Sequence, residues 1–280
     1  MKIYEALSNA AAFIASRRQE AHAQGRNEEE TLWLYLRALS YFVHATGQVY
    51  RFEDFLQAAA PSGHPSVSTL LSADNRPLAH GAVKLLLQVV DRSAEPEQKQ
   101  QVLMLVSLLH FLAETGQLDE AENFFIHQLE YAPVAIAHFT SREAAEAWLK
   151  DIAEPPSPAY ILIGDEYFQF WYLREDKTRG LYRDYPIEAE LESLTAKGLP
   201  ARTPSFATRA EAEAWLLDHP AHPYAFVSIA GEYYFAVHHR RLKRHSLHHV
   251  ASALQAWEEH KRAVEREAAL EAAQSDGASE

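Results

Sequence analysis

The sequence predicts an α+β protein: an N-terminal all-helical domain, repeat-like and built from helical hairpins, then a duplicated βαββ domain and a C-terminal helix. Three observations predict it. Apolar residues recur at helical spacing through residues 1 to about 131. A Thr-Gly-Gln turn between two helical stretches occurs twice in that part. Beyond Pro133 the pattern changes to short, alternating, aromatic-rich runs, and that block also occurs twice. The expected divisions are 1–132, 133–250 with repeats at about 134–185 and 203–245, and 251–280.

In the helical part, Ile3, Leu7, Ala10 and Ile14 mark one face of a first helix. Asn27 followed by Glu28, Glu29 and Glu30 reads as an N-cap with acidic residues at the positive end of the helix dipole. The helix that follows is apolar around nearly its whole circumference, the mark of a buried central helix, and Gly47 ends it. Thr46-Gly47-Gln48-Val49 with Glu53, Phe55 and Leu56 then reappears as Thr115-Gly116-Gln117-Leu118 with Glu122, Phe124 and Phe125, 69 residues later (115 minus 46). Leu34, Leu36, Leu39, Phe42 and Val43 fall on Leu103, Leu105, Leu108, Phe111 and Leu112 at the same offset.

In the second part, Phe139-Thr140-Ser141-Arg142 leads into EAAEAWL, and Phe206-Ala207-Thr208-Arg209 leads into AEAEAWL. In each, a Ser or Thr caps a helix whose packing face holds Ala and a Trp, Trp148 or Trp215. A Pro-rich link follows, then residues 159–172 align with 225–238. The alternating runs on either side of Gly164-Asp165 and Ala230-Gly231 read as β-hairpins with tight turns. A duplicated strand–helix–strand–strand unit can form one sheet with both helices on one face. From about Leu247 to Ala273 the chain reads as a helix with a thin stripe of Leu254, Trp257 and Val264.

Composition limits the chemistry. With 26 basic against 39 acidic residues the net charge is −13, so the chain as a whole repels nucleic acid, and any such contact must be local. Zero Cys excludes disulfides, thiolate metal sites and a catalytic thiol, and suits a reducing compartment. The apolar stretches are too short for a leader or a membrane span. A cytoplasmic protein without a cofactor or a membrane partner is the expectation.

Two places attract a functional reading. Glu166-Tyr167 and Glu232-Tyr233 recur at the hairpin turns, either as an acidic and aromatic rim for a ligand or as solvated turn carboxylates with cross-strand packing partners. The stretch 238–249 gathers five His and four basic residues: His238, His239, Arg240, Arg241, Lys243 and Arg244, then His245, His248 and His249. Arg and Lys clustered beside Tyr233, Tyr234 and Phe235 could hold phosphates or an acidic protein, or form a solvated strand end leading into a helix. His245 with His248 or His249 could share a helical face, yet no convincing third or fourth metal ligand goes with them. Phosphate-cradling loops, nucleophile elbows and HExxH motifs are missing, so the reading leans away from an enzyme.

The second helical hairpin, residues 102–133, resembles a tetratricopeptide-type unit: Gly116, Leu118, Ala121, Phe125 and Pro133 match that pattern, while Leu109 departs from its usual small residue. Hairpins of that kind imply a protein-contacting surface. The whole pattern, with its EAEAWL and GEYY elements, resembles uncharacterised proteins present as many paralogues in social soil bacteria. The resemblance assigns no activity; by analogy it implies a binding antagonist of the toxin-immunity kind. The expected function is therefore a non-enzymatic protein-interaction or regulatory protein, with an immunity-type inhibitor as the form the analogy implies. The alternatives are a nucleic-acid-associated factor working through 238–249 and an enzyme of unknown class.

Overall fold

A computed structural model describes residues 3–59, 76–93 and 95–277. The chain divides into two compact units. The first holds the residues up to Gln128 with Ile152–Ala159 and Phe170–Gly180; the second holds Leu129–Asp151, Tyr160–Gln169 and the chain from Leu181 on.

The first unit contains α1 (Ile3–Ala23), α2 (Asn27–Ala45), α3 (Val49–Ala59), α4 (Pro77–Arg92), α5 (Pro96–Glu114) and α6 (Leu118–Ile126). The duplication is larger than the two hairpins legible in the sequence. Adding 69 to the bounds of α2 gives those of α5, adding it to the end of α1 gives the end of α4, and α3 and α6 begin at equivalent residues. Each copy is therefore three helices. Helix α2 begins at Asn27 itself, with Arg26 before it and no side-chain cap, so Asn27 is the first helical residue and not the expected N-cap.

The copies exchange partners. Helix α1 packs on α2 and α5, and α4 packs on α5 and α2. Phe42 meets Phe124, and the equivalent Phe111 meets Phe55, with ring centroids 6.0 and 5.6 Å apart. Tyr41 on Phe124 is matched by His110 on Phe55. At the centre Gln48 Nε2 donates to Gln117 Oε1 at 2.6 Å, and Gln117 Nε2 returns a bond to Gln48 Oε1 at 2.8 Å. Contacts that swap under the repeat offset in this way define a pseudo-two-fold axis through the two glutamines. The chain turns through 111° between α5 and α6. Among the described residues no single helix is long and apolar enough to cross a membrane.

The second part contains β1 (Ala135–Phe139), α7 (Arg142–Asp151), β2 (Ala159–Ile163), β3 (Glu166–Tyr172), β4 (Arg179–Arg183) and α8 (Pro186–Thr195). The same series returns as β5 (Ser205–Phe206), α9 (Arg209–Asp218), β6 (Tyr224–Ile229), β7 (Glu232–His239), β8 (Arg244–His249) and α10 (Val250–Gly277). Each repeat thus carries a fourth strand and a second helix beyond the expected βαββ. Instead of one shared sheet there are two four-stranded sheets, ordered β1-β2-β3-β4 and β5-β6-β7-β8. In both, the first pair is parallel.

Local chemistry repeats faithfully. The Trp148 ring lies 5.3 Å from Phe139 at 45°, and Trp215 lies 5.6 Å from Phe206 at 47°. Ser141 Oγ and Thr208 Oγ1 each accept a backbone N–H three residues on, as N-caps do. Both hairpin turns have two residues: Ala230 and Gly231 both take positive φ (52° and 87°), whereas in the other turn Gly164 alone does (62°). One core cluster joins Leu162 and Tyr167 of the first sheet, Phe235 and Val237 of the second, Ile187 and Leu191 of α8, and Val250 and Ala253 of α10. The other face of the second sheet is covered by Ala212 and Leu216 of α9.

Candidate functional site

The histidine-rich stretch is a strand pair, not a strand end leading into a helix. Strand β7 ends at His239, a single 3-10 turn spans Arg240–Leu242, and Lys243 closes it at φ 52° with its N–H on Arg240 O. Strand β8 then runs back, pairing His238 with His245 and His239 with Arg244. Helix α10 starts at Val250, so His245, Leu247, His248 and His249 lie on a strand and not on the expected helix, and side chains along it alternate between sheet faces.

His239, Ser246 and His248 share the face that meets the first sheet, and all three are buried. They form a continuous chain with Tyr167. Tyr167 Oη lies 2.8 Å from Pro133 O and 3.1 Å from His239 Nδ1; His239 Nε2 is 2.8 Å from Ser246 Oγ, and Ser246 Oγ is 2.9 Å from His248 Nε2. One assignment of protons satisfies all four contacts. Tyr167 donates to Pro133 O, His239 Nδ1–H donates to Tyr167 Oη, Ser246 donates to His239 Nε2, and His248 Nε2–H donates to Ser246 Oγ. Both imidazoles are neutral in that assignment. Burial pushes His239 down to about 3, assisted by Arg244 and His248. Burial pushes His248 down to about 4. A hydroxyl between two imidazoles has the makings of a nucleophile, but Ser246 is fully enclosed, so no substrate reaches Oγ.

Asp165, in the turn between β2 and β3, holds the neighbouring surface together. Its carboxylate accepts from Arg209 at the start of α9, from Arg244 Nη2 at 3.1 Å and from the Leu247 N–H at 3.2 Å, while Arg244 Nη1 donates to Gly164 O. Burial alone would raise its pKa, yet the guanidinium of Arg209, the Leu247 amide and Arg244 hold it below the usual range. Replacing it by Asn keeps the shape and removes the charge that two guanidinium groups face. Asp165→Asn is expected to cost about 2 kcal/mol in urea unfolding, against a negligible change for Glu265→Gln on the exposed part of α10.

The expected binding residues separate into two groups. Tyr167 and His239 are buried and occupied within the chain just described, a correction to their reading as a ligand rim or charged patch; the reason is the core cluster that the two sheets share, in which the Tyr167 and His239 rings pack on each other. Arg244 is committed to Asp165, and Arg240 to Glu130 at 2.8 Å with its guanidinium over the Tyr131 ring. Glu166 pairs with Arg183, Glu232 with His249, and Tyr233 Oη donates to Pro200 O. His238 stacks on His245 at 4.6 Å. Arg241 and Lys243 are exposed. Among the described residues no group of three His, Asp or Glu side chains could hold a metal ion.

Sequence reasoning missed Ser246, Asp165 and a second polar centre in the first unit. There Arg174 clasps Asp54 with both Nη atoms (2.7 and 3.0 Å), Glu53 at 3.0 Å and Glu154 at 2.6 Å, over the ring of Tyr50. The only available signal for Ser246 was its position between imidazole residues on an alternating strand. Comparison with known protein families, with curated proteins and with solved structures returns no match.

Proposed function

We propose that this chain acts by binding another protein, in a regulatory role of the immunity-inhibitor kind, and not by catalysing a reaction. The observation that carries the reading is the fate of its reactive groups. Ser246 and its two imidazoles are enclosed and neutral, and Asp165 is spent on two arginines, so the chemistry-bearing residues serve the scaffold.

The same pairs support a choice of partner. With Arg240 and Arg244 neutralised internally, the basic patch is weakened and the field of a chain at −13 dominates. That field attracts a basic protein and repels nucleic acid, and an acidic inhibitor steered onto a basic toxin is a natural form of it. The absence of Cys supports a cytoplasmic setting.

The test is capture by the tagged chain from native lysate, followed by reconstitution from purified components. The expected result is a basic protein bound one to one, with association slowing steeply as salt rises, and with any toxicity of that protein relieved by co-expression. A salt-independent partner, or retention of labelled RNA in place of protein, overturns the reading.

A further inference from the structure

The pseudo-two-fold axis of the first unit makes each copy a control for the other, and at one place the copies differ. In one, Tyr35 of α2 is fully buried, its hydroxyl donates to Glu122 Oε1 at 2.9 Å, and its ring sits edge-on to Phe125 at 5.4 Å. Adding the offset, Tyr35 becomes Met104, while Glu122 and Phe125 correspond to Glu53 and Leu56. The phenol is gone, a shorter aliphatic replaces the facing ring, and the carboxylate is kept.

At that second place there is an open cleft of about 380 Å³ lined by Ile3, Ala6, Glu53, Leu56, Gln100 and Met104 among others. A hollow of about 230 Å³ adjoins it, sharing Ala6, Gln100 and Met104 and adding Asn9, Glu97 and Gln101. The first volume is within the range of small-molecule sites, and its lining is apolar with a few polar groups, as such sites are. Glu53 Oε2 is held by Arg174 Nη1, which fixes the carboxylate and leaves Oε1 to accept. Met104 is unbranched and pliable, able to pack against the edge of a ring.

We infer that this cleft between α1, α3 and α5 binds a small phenolic molecule, whose ring takes the place that the Tyr35 side chain fills in the other copy and whose hydroxyl donates to Glu53. The adjoining hollow accepts a polar substituent on the far side of the ring. This site is independent of the protein-binding role proposed above.

The chain has two methionines, Met1 and Met104, so a methyl-labelled methionine spectrum of the intact protein reads the cleft directly. Titration with p-cresol is expected to shift the Met104 methyl saturably, and toluene, which lacks the hydroxyl, is expected to bind roughly tenfold or more weakly. Met104→Tyr, which copies Tyr35, should abolish p-cresol binding as followed by calorimetry; Leu56→Phe, which copies Phe125 and leaves the reporter in place, should weaken it. No saturable shift with p-cresol, equal affinity for toluene, or undiminished binding in both filled variants that remain folded overturns the inference.

Discussion

Gly47→Ala is expected to destabilise the protein severely while Gly116→Ala, the equivalent change in the other copy, costs only the roughly 1–2 kcal/mol of its backbone conformation. Both glycines end a long helix at φ 68°, and both donate to the carbonyl three residues back, His44 and Ala113 respectively. Alanine in this left-handed conformation costs roughly 1–2 kcal/mol at either place. The surroundings then separate them. A Cβ on Gly116 meets nothing within 4 Å, whereas one on Gly47 would lie 2.6 Å from Pro156 Cβ, 2.7 Å from Pro156 C and 2.8 Å from Ser157 N. Those backbone atoms cannot retreat freely, because Ser157 N–H donates to Gly47 O at 2.9 Å and Ser157 Oγ bonds both the N–H and the O of Tyr172. The added cost at Gly47 is about 2–4 kcal/mol beyond the conformational one. Urea unfolding of the two single variants side by side reads the difference. Equal midpoints would show that the segment at Pro156 and Ser157 does not press on the first turn. Asn at position 116 should be close to neutral, since Asn tolerates the left-handed region.

How far the sequence alone reaches can be judged from the same turns. Thr46-Gly47-Gln48 and its echo were visible because glycine at a helix end and a polar flank are local signals, and the offset they share placed α2, α3, α5 and α6. The equivalence of the first helices, α1 and α4, has no such signal, because they share little beyond small or branched residues such as Ala10 with Ala79 and Ile14 with Val83. The exchange of partners across the axis is a tertiary fact with no local signature: it depends on Gln48 reaching Gln117 and Phe42 reaching Phe124. In the second part the capped helices and the two-residue turns were legible for the same local reasons. Strands β4 and β8 were not, since Arg179–Arg183 is short and charged, and β8 alternates imidazole with Ser and Leu in a way that composition reads as a basic patch. Burial of Tyr167 and His239 is a tertiary fact of the same kind, because it depends on the two sheets sharing one core cluster, which periodicity within a strand does not reveal.

The buried imidazoles should make the protein lose stability in mild acid, over a pH window set by their two ends. In the unfolded chain each histidine titrates near 6.5. In the folded protein burial pushes His239 down to about 3 and His248 down to about 4. Between these limits the unfolded state binds two protons on this pair that the folded state refuses, and a further one on His245, which burial also pushes down to about 4, so unfolding becomes easier as pH falls. Full stability is present above about pH 6.5, declines on acidification, and the contribution is gone below the folded values. By pH 4.5 the loss is on the order of 3–5 kcal/mol for the pair. Asp165 has the opposite kind of shift, with its folded value lowered, so its contribution is lost only as pH falls below the ordinary carboxylate range and does not confuse the window above pH 4.5. The proton arrangement along Tyr167, His239, Ser246 and His248 gives the structural reason. With both imidazoles protonated, His239 and His248 would each aim a donor at Ser246 Oγ and leave its hydroxyl hydrogen without an acceptor in a closed space. Urea midpoints at pH 7.0, 5.5 and 4.5 measure the slope, and His248→Gln should reduce it by about one proton because Gln keeps a donor toward Ser246 and does not titrate. A stability that stays level from pH 7.0 to 4.5, or a slope unchanged in His248→Gln, would mean that water reaches this face of the sheet and that the hydroxyl–imidazole chain is open to solvent and substrates after all.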